Sequence, residues 1–189
     1  MKVWVLAAST GGIDAVTRFI KLVPCRQDVA LVYVQHIVEQ QHPQLLKIVA
    51  RNSSWRTRGV DYGSSLKGGW VTIPSPEERF DIDEEGLMGV VDGGGWQPPY
   101  RPSIDDVARQ VAGFYRQRSG LIVFTGMGSD ACKGAVCVRD NGGQVWVQAP
   151  SSCAAIAMPE AVLDAVGGGF VGTVEELAEK FNQELCVAD

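Results

Sequence analysis

The chain has 189 residues, 46% of them hydrophobic, enough to bury a substantial core and fitting one domain over 1–189 better than two. Its 22 acidic against 17 basic residues give a formal charge of -5 with no dense basic run, which excludes a nucleic-acid partner. The five cysteines are an odd set without a C-x-x-C pair, which speaks against a disulfide framework or a thiolate zinc site and for reduced thiols in a cytoplasm.

In chain order, only Lys2 precedes the apolar run Val3 to Ala8, which is too brief for a signal peptide or a membrane span. A soluble, cytoplasmic protein without direct membrane insertion is expected. Val3 to Leu6 reads as a strand ending at small residues, and from Ile13 the positions Val16, Phe19, Ile20 and Val23 recur at helical spacing. Val29 to Val34 reads as a buried strand and leads into a polar turn holding His36. Leu45, Leu46, Ile48 and Val49 then mark a helix with Pro43 suited to its first turn. Between residues 52 and 100 the pattern changes. Trp70 to Ile73, Phe80 to Ile82 and Leu87 to Val91 read as short strands, so a hairpin is expected around residues 70–92, inserted in the sheet or on its edge. Gly93 to Gly95 with Pro98, Pro99 and Pro102 mark an irregular loop rather than a linker. Ser103 with Asp106 opens a helix to Tyr115, and Thr173 with Glu176 opens another to Phe181. Leu121 to Phe124, the turn Thr125 to Asp130, a small-residue segment around Gly134 and Val138, and Gln144 to Gln148 make a further strand–helix–strand unit. Strands alternating with helices predict an α/β fold with a mainly parallel sheet covered on both faces.

In such a sheet, chemistry collects beyond the carboxyl ends of the strands, where Ser9, His36 and Asp130 all fall. A serine hydroxyl needs a base to accept its proton, and the base needs a third group to fix its tautomer. The candidate roles are therefore Ser9 as nucleophile, His36 as base and Asp130 as orienting acid. Each residue also has a plainer use. Ala8-Ser9-Thr10-Gly11-Gly12 is equally the form of a phosphate-binding loop, His36 of a strand-end histidine bonded to backbone, and Asp130 of a helix N-cap. The other histidine, His42, lies in the polar run before Pro43, where a solvated helix start is expected. One histidine and one carboxylate do not complete a ligand shell, so no metal is expected.

Taken together, these stretches resemble the catalytic domain of the chemotaxis response-regulator protein-glutamate methylesterases. Ala8-Ser9-Thr10-Gly11-Gly12 is similar to the family's serine motif and Val34-Gln35-His36 to its histidine motif. Tyr100-Arg101-Pro102-Ser103-Ile104-Asp105 resembles the Arg-Pro-Ser segment, Thr125-Gly126-Met127-Gly128-Ser129-Asp130 the aspartate motif, and Ser152-Cys153 followed by Met158-Pro159 a later shared stretch. The resemblance runs from Val5 to about Leu177 and implies a doubly wound α/β fold. It implies hydrolysis of glutamyl methyl esters on the cytoplasmic helices of methyl-accepting receptors, with methanol released, no cofactor, and glutamine deamidation as a possible second activity. It also implies that the Met127 amide donates to the oxyanion and that Thr10 helps position serine and histidine. Relatives usually carry the domain behind a receiver domain. Here the first strand starts at residue 3, so a separate regulatory domain or protein, or an excised domain, is expected. Tyr100 and Ala131 stand where many relatives place histidine and glycine, Arg79 lies near another histidine position, and the loop Asp92 to Trp96 is longer than usual. The competing expectations are a non-catalytic receptor-binding regulatory module and an esterase for a small-molecule ester.

Overall fold

The computed structural model describes residues 1–91, 95–97 and 99–186. The first strand, β1 (Lys2–Ala8), is apolar along nearly its whole length because both of its faces are covered. Val3, Val5 and Ala7 point to one core, Trp4, Leu6 and Ala8 to the other, as the two-residue period of a strand requires. Helix α1 (Gly12–Leu22) presents Val16, Phe19 and Ile20 to the second core. Strand β2 (Val29–Gln35) follows, then α2 (His42–Asn52), with Pro43 in the first turn.

Two short strands, β3 (Arg56–Arg58) and β4 (Trp70–Thr72), extend the sheet on this side. Trp70 to Thr72 therefore belongs to the parallel sheet, and the expected hairpin narrows to β5 (Phe80–Ile82) and β6 (Met88–Val90), an antiparallel pair forming its own sheet. The pair lies on helix α3 (Ile104–Tyr115) rather than on a sheet edge. Phe80 and Met88 share a core with Val107 and Val111, and the Ile82 N–H donates to Gln110 Oε1 at 3.3 Å. Of the loop Asp92 to Trp96, residues 92–94 lie outside the described residues, as does Pro98. Trp96 is buried and donates from Nε1 to the Ser75 carbonyl at 2.8 Å.

The second half repeats the strand–helix pattern with β7 (Ser119–Val123), α4 (Cys132–Asp140), β8 (Gln144–Gln148), α5 (Ala157–Val166), β9 (Phe170–Gly172) and α6 (Val174–Cys186). The sheet order is β3-β4-β2-β1-β7-β8-β9 and every pairing in it is parallel. Helices α3, α4 and α5 cover one face, and α1, α2 and α6 the other. This is a doubly wound α/β fold. The chain winds outward in one direction from β1 and in the other from β7, so the order reverses between these two strands. Loops leaving their carboxyl ends diverge and open a crevice there. No described helix is long and apolar enough to cross a membrane.

Candidate active site

Three of the residues predicted for the site emerge at that crevice. Ala8 pairs with Gln35 at the ends of β1 and β2, so the next residues, Ser9 and His36, leave the sheet side by side. Backbone bonds fix the corner: His36 N–H donates to the Ala8 carbonyl at 3.2 Å, and Ser9 N–H to the Thr125 carbonyl at 3.1 Å. The Ser9 carbonyl accepts from Gly12 N–H at 2.9 Å and from Gln35 Nε2 at 2.8 Å. Gly11 makes the turn into α1 possible, since its φ is +76° and a Cβ there would meet the Ala154 Cβ at 2.7 Å. Among the described residues the Ser9 hydroxyl makes no hydrogen bond.

His36 Nε2 lies 2.9 Å from Asp130 Oδ2, and Nδ1 makes no hydrogen bond among the described residues. Asp130 is only 2% exposed, and a buried carboxylate needs donors. It has them: Ile104 N–H donates to Oδ2 at 2.7 Å and Asp105 N–H to Oδ1 at 2.9 Å. These are orphan amides of the first turn of α3, whose dipole also favours the negative charge. Asp130 thus caps a helix, as its plainer reading had it, but the neighbouring helix rather than its own. Its own helix, α4, is capped in return by Asp105, whose Oδ1 accepts from Ala131 N–H at 3.1 Å and Gly134 N–H at 2.7 Å. Between them, at the Asp130–Ala131 corner, Ala131 holds a φ of +118°, a conformation that favours glycine.

Burial pushes the Asp105 carboxyl above the usual carboxylate range. The Gly134 N–H pulls the other way, and the adjacent Asp130 charge adds to the rise. A carboxyl raised on folding still holds its proton in the folded chain where the unfolded chain has already released it. The folded state is therefore penalised as pH climbs from the ordinary carboxylate range through the raised value, and carries the full penalty above it. Asp105→Asn keeps the oxygen that serves Ala131 and Gly134 and removes the charge. Its stability relative to the parent should accordingly improve between about pH 3 and about pH 7, read by urea unfolding. A pH-independent difference would contradict this.

The face of the His36 ring lies against Tyr100, and both line a cleft of about 630 Å³ together with Val38, Glu39, Glu77 and Arg101. Thr10 follows Ser9 in the loop after β1, and Gly126, the neighbour of Met127 in the loop after β7, lies so close that a Cβ there would be 2.9 Å from the Ser9 Cβ. Met127 is 55% exposed, and its N–H has no acceptor among the described residues. The described residues contain no group of three or more His, Cys, Asp or Glu side chains placed to hold a metal.

Comparison with known proteins finds a match along nearly the whole chain: the family model for CheB methylesterase matches residues 4–181. The chain belongs to the CheB methylesterase family. Among the relatives, the protein-glutamate methylesterase/protein-glutamine glutaminase 1 of Saccharophagus degradans is 30% identical over 165 residues, 87% of this chain. The match spans only 45% of that protein's length. A putative protein of the same name from Leptospira interrogans is 25% identical over 177 residues, with 94% of this chain and 91% of its own length covered. The CheB methylesterase catalytic domain of Thermotoga maritima superposes with a TM-score of 0.88 at 24% identity, covering 96% of this chain and 97% of that one, which establishes the shared CheB fold.

Several residues that build the candidate site escaped the sequence. Gln35 is buried, held by the Tyr33 hydroxyl, which donates to Oε1 at 2.7 Å, so that Nε2 reaches the Ser9 carbonyl. The Thr125 hydroxyl donates to the Thr10 carbonyl at 2.9 Å and accepts from Ala155 N–H at 2.8 Å, joining three loops. Gln148 Oε1 in turn accepts from Thr125 N–H at 3.0 Å. His42 corrects the expectation of a solvated helix start. It is half-buried, and its Nε2 lies 2.9 Å from the Ile73 carbonyl, because β4 runs beside β2 and ends next to the start of α2.

Proposed function

We propose that residues 1–189 form a single methylesterase-type catalytic domain that hydrolyses γ-methyl esters of glutamate on the cytoplasmic helices of methyl-accepting, chemotaxis-type receptors. The observation that carries the proposal is the buried Asp130 carboxylate 2.9 Å from His36, on a strand end that leaves the sheet beside Ser9. Ser9 Oγ attacks the ester carbonyl while His36 Nδ1 takes the hydroxyl proton, and Asp130 holds the ring and stabilises the imidazolium. The proton passes to the departing methoxide, and methanol leaves. Water then gives a proton to His36 and attacks the acyl-enzyme. Ser9 recovers that proton and the glutamate carboxylate is freed. The Met127 N–H, which has no acceptor among the described residues, supports an oxyanion role. Thr10, anchored through its carbonyl by Thr125, keeps the serine turn in place. Serine–histidine hydrogen bonds in hydrolases often tighten only in the substrate complex, which accommodates a Ser9 hydroxyl with no bond to His36.

The relatives' names also support the same chemistry on protein glutamine, with ammonia in place of methanol. Side chains, backbone donors and water suffice, so the mechanism calls for no cofactor. The enzyme would work in the cytoplasm. The test is methanol release by the purified chain from a methylated receptor and, in parallel, from a small methyl ester at equal ester concentration. Faster release from the receptor is expected. Preference for the small ester would overturn the receptor assignment, and receptor binding without release would make the chain a regulatory module.

A further inference from the structure

We propose that Tyr100 is a positioning residue for His36, holding the imidazole plane in the orientation that lets Nδ1 take the Ser9 proton; this rests on the Ser9–His36–Asp130 reading above. The bond from Asp130 to Nε2 fixes one edge of the ring but leaves it free to rock about that contact. The second constraint is the phenol ring, stacked on the imidazole with centroids 5.0 Å apart and planes within 13°. Offset stacking of this kind is a favourable arrangement of two π-systems, and it strengthens when one ring becomes cationic, as His36 does on taking the serine proton.

Tyr100 is itself held in place. Its hydroxyl accepts from Ser129 N–H at 3.4 Å, and Gly128 passes so close that a Cβ there would lie 2.6 Å from the phenol oxygen. Gly128 and Ser129 immediately precede Asp130, while the segment after Tyr100 runs through Pro102 to the α3 amides that grip the Asp130 carboxylate. Edge and face of the His36 ring are thus held by the same two loops.

The chain has only two histidines, and His42 is occupied elsewhere by the Ile73 carbonyl, so the ring resonances of His42 serve as an internal control. Tyr100→Phe keeps the stack and should stay within about threefold of the parent in kcat on methylated receptor, whereas Tyr100→Ala should lose about 10–100-fold in kcat with KM little changed. Tyr100→Leu, which keeps bulk without the aromatic face, should behave as the alanine variant does and guards against a folding defect. In both aliphatic variants the ring-current shift of the His36 protons should disappear while His42 stays put. A parental kcat in the aliphatic variants, a change confined to KM, a phenylalanine variant as impaired as alanine, or unmoved His36 resonances would each overturn the assignment. Ser9→Ala assayed alongside separates the two levels: undiminished turnover there defeats the Ser9–His36–Asp130 reading on which this proposal rests, whereas its loss together with a fully active Tyr100→Ala defeats the Tyr100 assignment alone.

Discussion

Ser9→Ala is expected to lower methanol release from methylated receptor by on the order of 10⁴–10⁶-fold, the range seen when a hydrolase loses its serine nucleophile. The substitution should be close to silent in the fold. The structural work at this position is done by the backbone, through Thr125, Gly12 and Gln35, and the hydroxyl makes no hydrogen bond among the described residues. Removing it therefore strands no partner, and stability should change by no more than about 0.5 kcal/mol. An unchanged urea midpoint beside lost turnover is the expected pair of results. A variant that keeps most of its activity would remove Ser9 from the mechanism.

Asp130→Asn should be costly in both respects. For activity, an amide in place of the carboxylate cannot stabilise an imidazolium and favours the wrong tautomer of His36, an effect worth about 10⁴-fold in kcat in a comparable triad. For stability, the carboxylate uses both oxygens on backbone donors, Oδ2 on Ile104 and Oδ1 on Asp105, with His36 sharing Oδ2. Asparagine offers one oxygen, so one amide of the α3 first turn must face an NH₂ group. A buried donor left without an acceptor costs about 1–3 kcal/mol. Turnover and urea midpoint should therefore both fall, in contrast to Ser9→Ala. A variant with parental stability would show that the α3 amides find another acceptor.

How far the sequence foretold this structure depended on whether a residue's task was local. The capping pairs were legible because helix and cap are neighbours in the chain: Ser103 accepts from Asp106 N–H, and Thr173 and Glu176 exchange bonds across the first turn of α6. The central strands were legible because burial on both faces leaves a continuous apolar run. Strands β3 and β9 were not, since three residues at a sheet edge, one set polar and the other ending in glycine, carry no periodicity. Helix α5 begins without a polar cap, so it lacked the usual opening signal. The candidate residues Ser9, His36 and Asp130 stood out by type and by their strand-end positions. Gln35, Thr125, Gln148 and Asp105 did not, because their partners lie on other elements and a buried polar side chain declares its role only when those elements meet.

The central position of β1 also bears on when the site comes into being. Val3 pairs with Ala30 on one side, a contact between neighbouring parts of the chain, and with Ser119 on the other, a contact that spans most of it. Closing the longer loop costs more entropy and must await synthesis of β7. On a growing polypeptide, serine and histidine can thus come together early, whereas the carboxylate arrives only once β7 and the loop carrying Asp130 have emerged. On the triad proposed above, the nucleophile would until then have a base without its orienting acid, and hydrolytic competence would wait for β7 and the loop behind it.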